Sequence, residues 1–168
     1  MKTKKLVMSA LFVALTFVAT LVIQIRLTAN GFVNIGDCMV VVSGIFLGPV
    51  YGAVSASLGS LLADAVSGFA LYAPATFVIK GLMAVAVGVV FKKLSKIKEL
   101  LAVIICSVLA EIIMVSGYFL YEIFLYGVVT AFLGMGGNLL QAGFGVVCSV
   151  VLYLALAKNK YIKNQLSF

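Results

Sequence analysis

The stretch CMVVVSGIFLGPVYGAVSASLGSLLADAV, Cys38–Val66, decides the fold. A membrane helix needs about 20 residues, so this 29-residue run is too long for one crossing and too short for two full ones. The charges on either side choose between the two. Lys2, Lys4 and Lys5 precede the first apolar run, and Lys92, Lys93, Lys96 and Lys98 follow the third. Lysines gather on the cytoplasmic side of a membrane protein. A single crossing over 38–66 would put the two groups on opposite sides, whereas two short crossings broken at LGPVYG, Leu47–Gly52, put both inside.

Working outward, the sequence predicts helices over 6–25, 37–49, 50–66, 74–91, 99–118 and 136–157. A third lysine group, Lys158, Lys160 and Lys163, follows the last of them. The expectation is an all-α integral membrane protein, one domain over 1–168, with six transmembrane helices and both termini cytoplasmic. Leu6–Ile25 is too long for the apolar core of a signal peptide and reads as the first membrane helix. Outer connections are expected near 26–36, 67–73 and 118–136. In the last of these, YFLYEIFLYG (118–127) reads as an interfacial segment and GMGGN (134–138) as the start of the final helix.

Composition agrees and narrows the function. With 64% hydrophobic and 10% charged residues, the chain exceeds what a soluble core can hide. Unbroken apolar runs favour helices over barrel strands, because every backbone polar group in hydrocarbon needs an internal partner. Ten of the 12 Lys+Arg, set against 5 Asp+Glu, cluster at helix ends, Arg26 and Lys80 being the exceptions, so they speak for membrane orientation and against nucleic-acid binding. There is no histidine and no CxxC among the 3 cysteines, which leaves a metal site few ligands, and no metal or cofactor is expected. The phosphate-binding loop GxxxxGK[ST] is absent.

The polar residues left inside the apolar runs are then the informative ones. Asp37, Asp64, Lys80, Glu111, Asn138 and Gln141 all fall in the outer half of the expected helices, with Lys80 roughly 9 Å deep at helical rise. An ionisable side chain there costs about 2.5 to 3.5 kcal/mol unless it faces protein interior or a watery cavity, so several at one depth imply a pocket open outward. Asp64 and Lys80 stand at equal offsets about the turn between their helices and could pair across it, or hold a ligand. Tyr72 and Tyr118 offer rings for stacking, and TANGFVNIGD (28–37) suits a lid with an Asn-Gly turn. Ala10 and Ala14, four apart in ALFVA, form a small face that another helix could approach closely.

These blocks resemble the substrate-binding S components of energy-coupling factor (ECF) transporters, which take up vitamins in bacteria and archaea. The resemblance spans the chain and is carried by ALFVA (10–14), VNIGDCMVVVSGIFLGPVYGAVSASLGSLLAD (33–64), YAPATFVIKGLMA (72–84), GYFLYEIFLYG (117–127) and GNLLQ (137–141). It implies a multi-pass protein of the prokaryotic plasma membrane that captures a water-soluble vitamin from outside. Its partners would be the bilayer, a coupling membrane protein and two ATPases. It also implies that Lys80, Glu111, Asn138 and Gln141 line the cavity, that Asn34 belongs to the lid, and that Ala10 and Ala14 face the coupling protein. YAPATFVIKG and GNLLQ resemble members grouped with pyridoxine, hydroxymethylpyrimidine or pantothenate uptake, the first two being the best substrate expectation, with riboflavin or pantothenate as alternatives. Two other classes compete: an integral membrane enzyme using Asp37, Asp64 and Glu111 as acid and base, or a scaffold subunit whose polar residues only tie helices together.

Overall fold

The computed structural model describes residues 2–22, 24–28 and 31–158. In chain order it contains α1 (Lys2–Val22), the strands β1 (Gln24–Thr28) and β2 (Gly31–Asn34), then α2 (Gly36–Val66), α3 (Ala73–Leu94), α4 (Glu99–Tyr126) and α5 (Val128–Lys158). Among the described residues, all five helices are long and apolar enough to cross a membrane. Lys160, Lys163 and Asn30 of the expected Asn-Gly turn lie outside the described residues.

The decisive stretch is one element with a break inside it. Gly48 has φ 77 and ψ −179, a conformation open almost only to glycine, and Pro49 follows without an N–H to continue the ladder. The break is sharp. The Ser43 hydroxyl donates to the Gly52 carbonyl oxygen at 3.2 Å, although nine residues of unbroken helix would separate them by about 13.5 Å. Residues 36–47 and 49–66 therefore fold back beside each other. A Cβ on Gly52 would stand 2.7 Å from the Ser43 carbonyl oxygen, which is why a glycine sits there. Gly48→Ala is expected to cost about 1–3 kcal/mol, read as a lower melting temperature of the solubilised protein.

Other boundaries differ from the sequence expectation. α1 stops at Val22, not 25, because QIRLT alternates polar and apolar residues with the period of a strand. It pairs antiparallel with GFVN, Gln24 opposite Asn34, so among the described residues every element but this hairpin is a helix. α4 runs on to Tyr126 rather than ending at 118, and α5 begins at Val128 rather than 136. The expected outer connection 118–136 is thus replaced by Gly127 alone, whose φ of 84 turns the chain. No glycine or proline interrupts Tyr118–Tyr126, and aromatic content by itself does not end a helix.

Packing follows from small residues and paired hydroxyls. Ser9, Phe12, Thr16 and Thr20 form the buried stripe of α1 at helical spacing, while Leu6, Leu11, Leu15 and Val18 face outward. The Ser55 hydroxyl donates to the Ser9 carbonyl oxygen at 3.1 Å, and Ser57 donates to that of Phe77 at 2.7 Å, tying α2 to α1 and α3. Val40, Val41, Met83, Val87, Cys106 and Met114 fill the centre. At one end of the bundle lie the Gly48 bend, Lys92, Lys96 and Tyr153, whose ring stacks on Phe46 at 5.8 Å and whose hydroxyl donates to Glu99. At the other lie the hairpin, the 67–72 turn and Gly127.

Candidate ligand-binding site

At the hairpin end the helices enclose a cavity of about 60 Å³. Behind its wall lies Asp37, in the first turn of α2 and fully buried. Lys80 of α3 forms an ion pair with Asp37 Oδ1, both side chains being almost out of contact with solvent. The Gln141 Nε2 of α5 donates to Oδ2 of the same carboxylate at 2.6 Å. Gln141 Oε1 in turn accepts from Asn34 Nδ2 at 3.4 Å, and Asn34 Oδ1 accepts from the Gly36 N–H at 2.8 Å. This chain of bonds joins the hairpin to three helices. A buried charge is tolerated only when such partners surround it.

A second set lies one turn outward on α3. Thr76 donates to Asp64 Oδ2 at 2.5 Å, and with its only proton so committed it accepts from the Tyr118 hydroxyl at 2.9 Å. The Tyr118 ring also lies 5.5 Å from the Lys80 ammonium, within cation–π range. The remaining wall gathers buried polar atoms: Ser60 Oγ has no hydrogen-bond partner among the described residues, and Glu122 lies close to the Asn138 amide and the Tyr72 hydroxyl without well-formed hydrogen bonds to them. Burial pushes the Tyr72 hydroxyl well above its ordinary range, so it stays protonated and able to donate. Phe69 and Tyr72 meet edge to face at 6.4 Å beside this set.

Seven of the residues expected from the sequence therefore share one hollow: Lys80, Asn138, Gln141, Asn34, Asp64, Tyr72 and Tyr118. Two expectations are corrected. Asp64 does not pair with Lys80: Thr76 is level with Asp64 on the neighbouring helix, Lys80 sits a turn deeper, and the fold-back of α2 delivers Asp37 to it. Glu111 does not line this cavity. It lies seven residues below Tyr118 on α4, about 10.5 Å toward the lysine end, beside Gly145 and a groove between α4 and α5. Counted from the inner lysines, Glu111 falls past the midpoint of a helix over 99–118, but α4 runs on to Tyr126 and leaves it near the middle of the helix.

The wall also contains residues that sequence reasoning passed over. Thr76 is four before Lys80 and Glu122 four after Tyr118, so helical spacing alone would have found them. Thr20 and Ser60 carried no signal, since hydroxyls are common in membrane helices. Ala10 and Ala14 are exposed on α1, away from this cavity.

Below Lys80 on α3, Met83 and Val87 are fully buried in the apolar core, so the hollow is closed toward the lysine end. Apolar spans that carry a polar, dead-ended cavity define a membrane-embedded solute-binding subunit. A model of the family "ECF-type riboflavin transporter, S component" matches residues 1–158. The chain is also similar to an uncharacterized protein in the gap 3′ region of Pyrococcus woesei, 33% identical over 143 residues, covering 84% of this chain and 94% of that one. The chain belongs to the S-component family of ECF transporters. It is a multi-pass plasma-membrane subunit for vitamin uptake that works with an ECF module of coupling and ATPase subunits, and it is not an enzyme.

Proposed function

We propose that the protein captures a small, hydroxylated, uncharged or cationic ring vitamin, pyridoxine or hydroxymethylpyrimidine, between Asp64, Tyr118, Glu122, Asn138 and Gln141. The observation that carries this reading is the commitment of Lys80 to Asp37, which leaves Asp64 and Glu122 as the other charged groups on the wall. An anionic vitamin such as pantothenate would meet carboxylates with no spare cation among the described residues of the wall to offset them. The Asn138 amide, the Tyr72 and Ser60 hydroxyls and the Glu122 carboxyl, none held by a well-formed hydrogen bond at its buried atom, match a ring bearing both donors and acceptors. The cavity of about 60 Å³ is small, so a small ring demands the least widening, and in this reading the hairpin moves aside to admit it. Riboflavin is the second reading, favoured by the family's description and by the aromatic wall of Phe69, Tyr72 and Tyr118.

In the same reading the fold-back at Gly48 makes two crossings of α2, giving six in all with both termini cytoplasmic and the cavity facing outward. Ala10 and Ala14 form the face that meets the coupling protein, which is driven by two ATPases. The test is a melting-temperature series on solubilised protein with pyridoxine, hydroxymethylpyrimidine, riboflavin and pantothenate. At 100 times its Kd the true ligand adds about 2.7 kcal/mol of stability. A shift with pyridoxine or hydroxymethylpyrimidine is expected. A shift with riboflavin alone selects the second reading, and a shift with pantothenate, or with none of the four, overturns both.

A further inference from the structure

The lysine-bearing end holds a second hollow, about 460 Å³, that capture of a vitamin at the other end does not use. It opens beside the Gly48 bend, where no heavy atom comes within 4 Å of the position a Cβ on Gly48 would take. Its floor is apolar, formed by Phe46, Leu47, Pro49 and Phe91. Its rim carries Lys5, Lys92 and Lys96, from α1, the last turn of α3 and the turn after it, with the Lys5 ammonium 5.8 Å from the Tyr51 ring centroid. Of the chain's five acidic residues only Glu99 lies at this end, and its carboxylate accepts from the Tyr153 hydroxyl.

Two ordinary roles account for lysines here: they set membrane orientation, and Lys92 and Lys93 complement the carbonyl end of α3. Neither role calls for a hollow between them. We propose that this cleft binds the headgroup of an anionic phospholipid, its phosphate against Lys5, Lys92 and Lys96 and its glycerol and upper acyl chain against Phe46 and Phe91. Free phosphate would satisfy the rim and leave the apolar floor unused, whereas a lipid meets both at the depth where headgroup and hydrocarbon join.

Native mass spectrometry of the full chain, titrated with phosphatidylglycerol and with phosphatidylcholine of the same acyl chains, tests this. Phosphatidylglycerol is expected to bind at least about tenfold more tightly, as follows from two or three lysines each attracting an anionic headgroup. Lys92→Gln with Lys96→Gln should bring the two lipids within about twofold of each other, whereas Lys93→Gln with Lys98→Gln, equal in charge removed but off the rim, should keep the preference. Because losing lysines can disturb insertion, Ser95→Trp supplies an independent check: it fills the cleft with every charge in place and should abolish the preference. Equal retention of the two lipids, an equal loss in both lysine pairs, or an unaffected Ser95→Trp protein would overturn the proposal. Displacement of the lipid by millimolar glycerol 3-phosphate would overturn it too, by reassigning the cleft to a soluble phosphate.

Discussion

Replacing Lys80 with methionine is expected to destabilise the protein by about 3–5 kcal/mol, because it leaves the Asp37 carboxylate buried without its cation. Methionine fills much the same volume, so the loss reports charge rather than a void. The Gln141 amide remains bonded to Asp37 but carries no charge to offset it. Adding Asp37→Asn to Lys80→Met should return most of the stability, since the pair then costs no desolvation. Ligand affinity should not return with it, because the Asn34–Gln141–Asp37–Lys80 chain that fixes the cavity wall stays broken. Chemical unfolding together with ligand titration on the two single variants and the double one reads both quantities. A single Lys80→Met protein as stable as the parent would show that the pair is not a structural support.

Ala14→Trp is expected to leave vitamin binding within about twofold and to cut ATP-dependent uptake at least about tenfold in cells carrying the coupling module, since small residues are what allow another helix to approach closely. Ala10 and Ala14 lie exposed on one face of α1, opposite the stripe of Ser9, Phe12, Thr16 and Thr20 that packs inward. A bulky ring there meets nothing within this chain but would hold a partner helix away. Binding to the purified variant and uptake in whole cells, measured side by side, separate docking from folding. Uptake that persists would move the docking face elsewhere.

Much of this site was legible because lone polar residues in apolar runs have few places to go. Lys80, Asn138 and Gln141 could be assigned to a shared hollow from membrane energetics alone, and the break near Gly48 from the two residues least able to continue a helix. What stayed hidden depends on which elements become neighbours. Lys80 takes Asp37 over Asp64 only because α2 folds back on itself at Gly48 and Pro49, with Gly52 small enough to lie against Ser43. Glu111 differs for another reason: its distance from the inner lysines is unchanged, but the tyrosine-rich stretch hid eight further residues of α4, so a position past the midpoint of 99–118 lies near the middle of the actual helix. The strand character of Gln24–Thr28 was written in its alternation but masked by the apolar run before it.

The single-residue link at Gly127 bears on how quickly the cavity can fill. With α4 and α5 joined so tightly, the wall carrying Tyr118, Glu122 and Gln141 has no slack, and Glu122 is wedged against Gly134 across the joint. A two-stranded ribbon is marginally stable by itself, so in the capture reading proposed above the paired strands Gln24–Thr28 and Gly31–Asn34 are the part of the wall that yields. If capture runs as proposed, it would pass one slow gate: association slower than diffusion, long residence, and scarce solute held until the energised half of the transporter arrives.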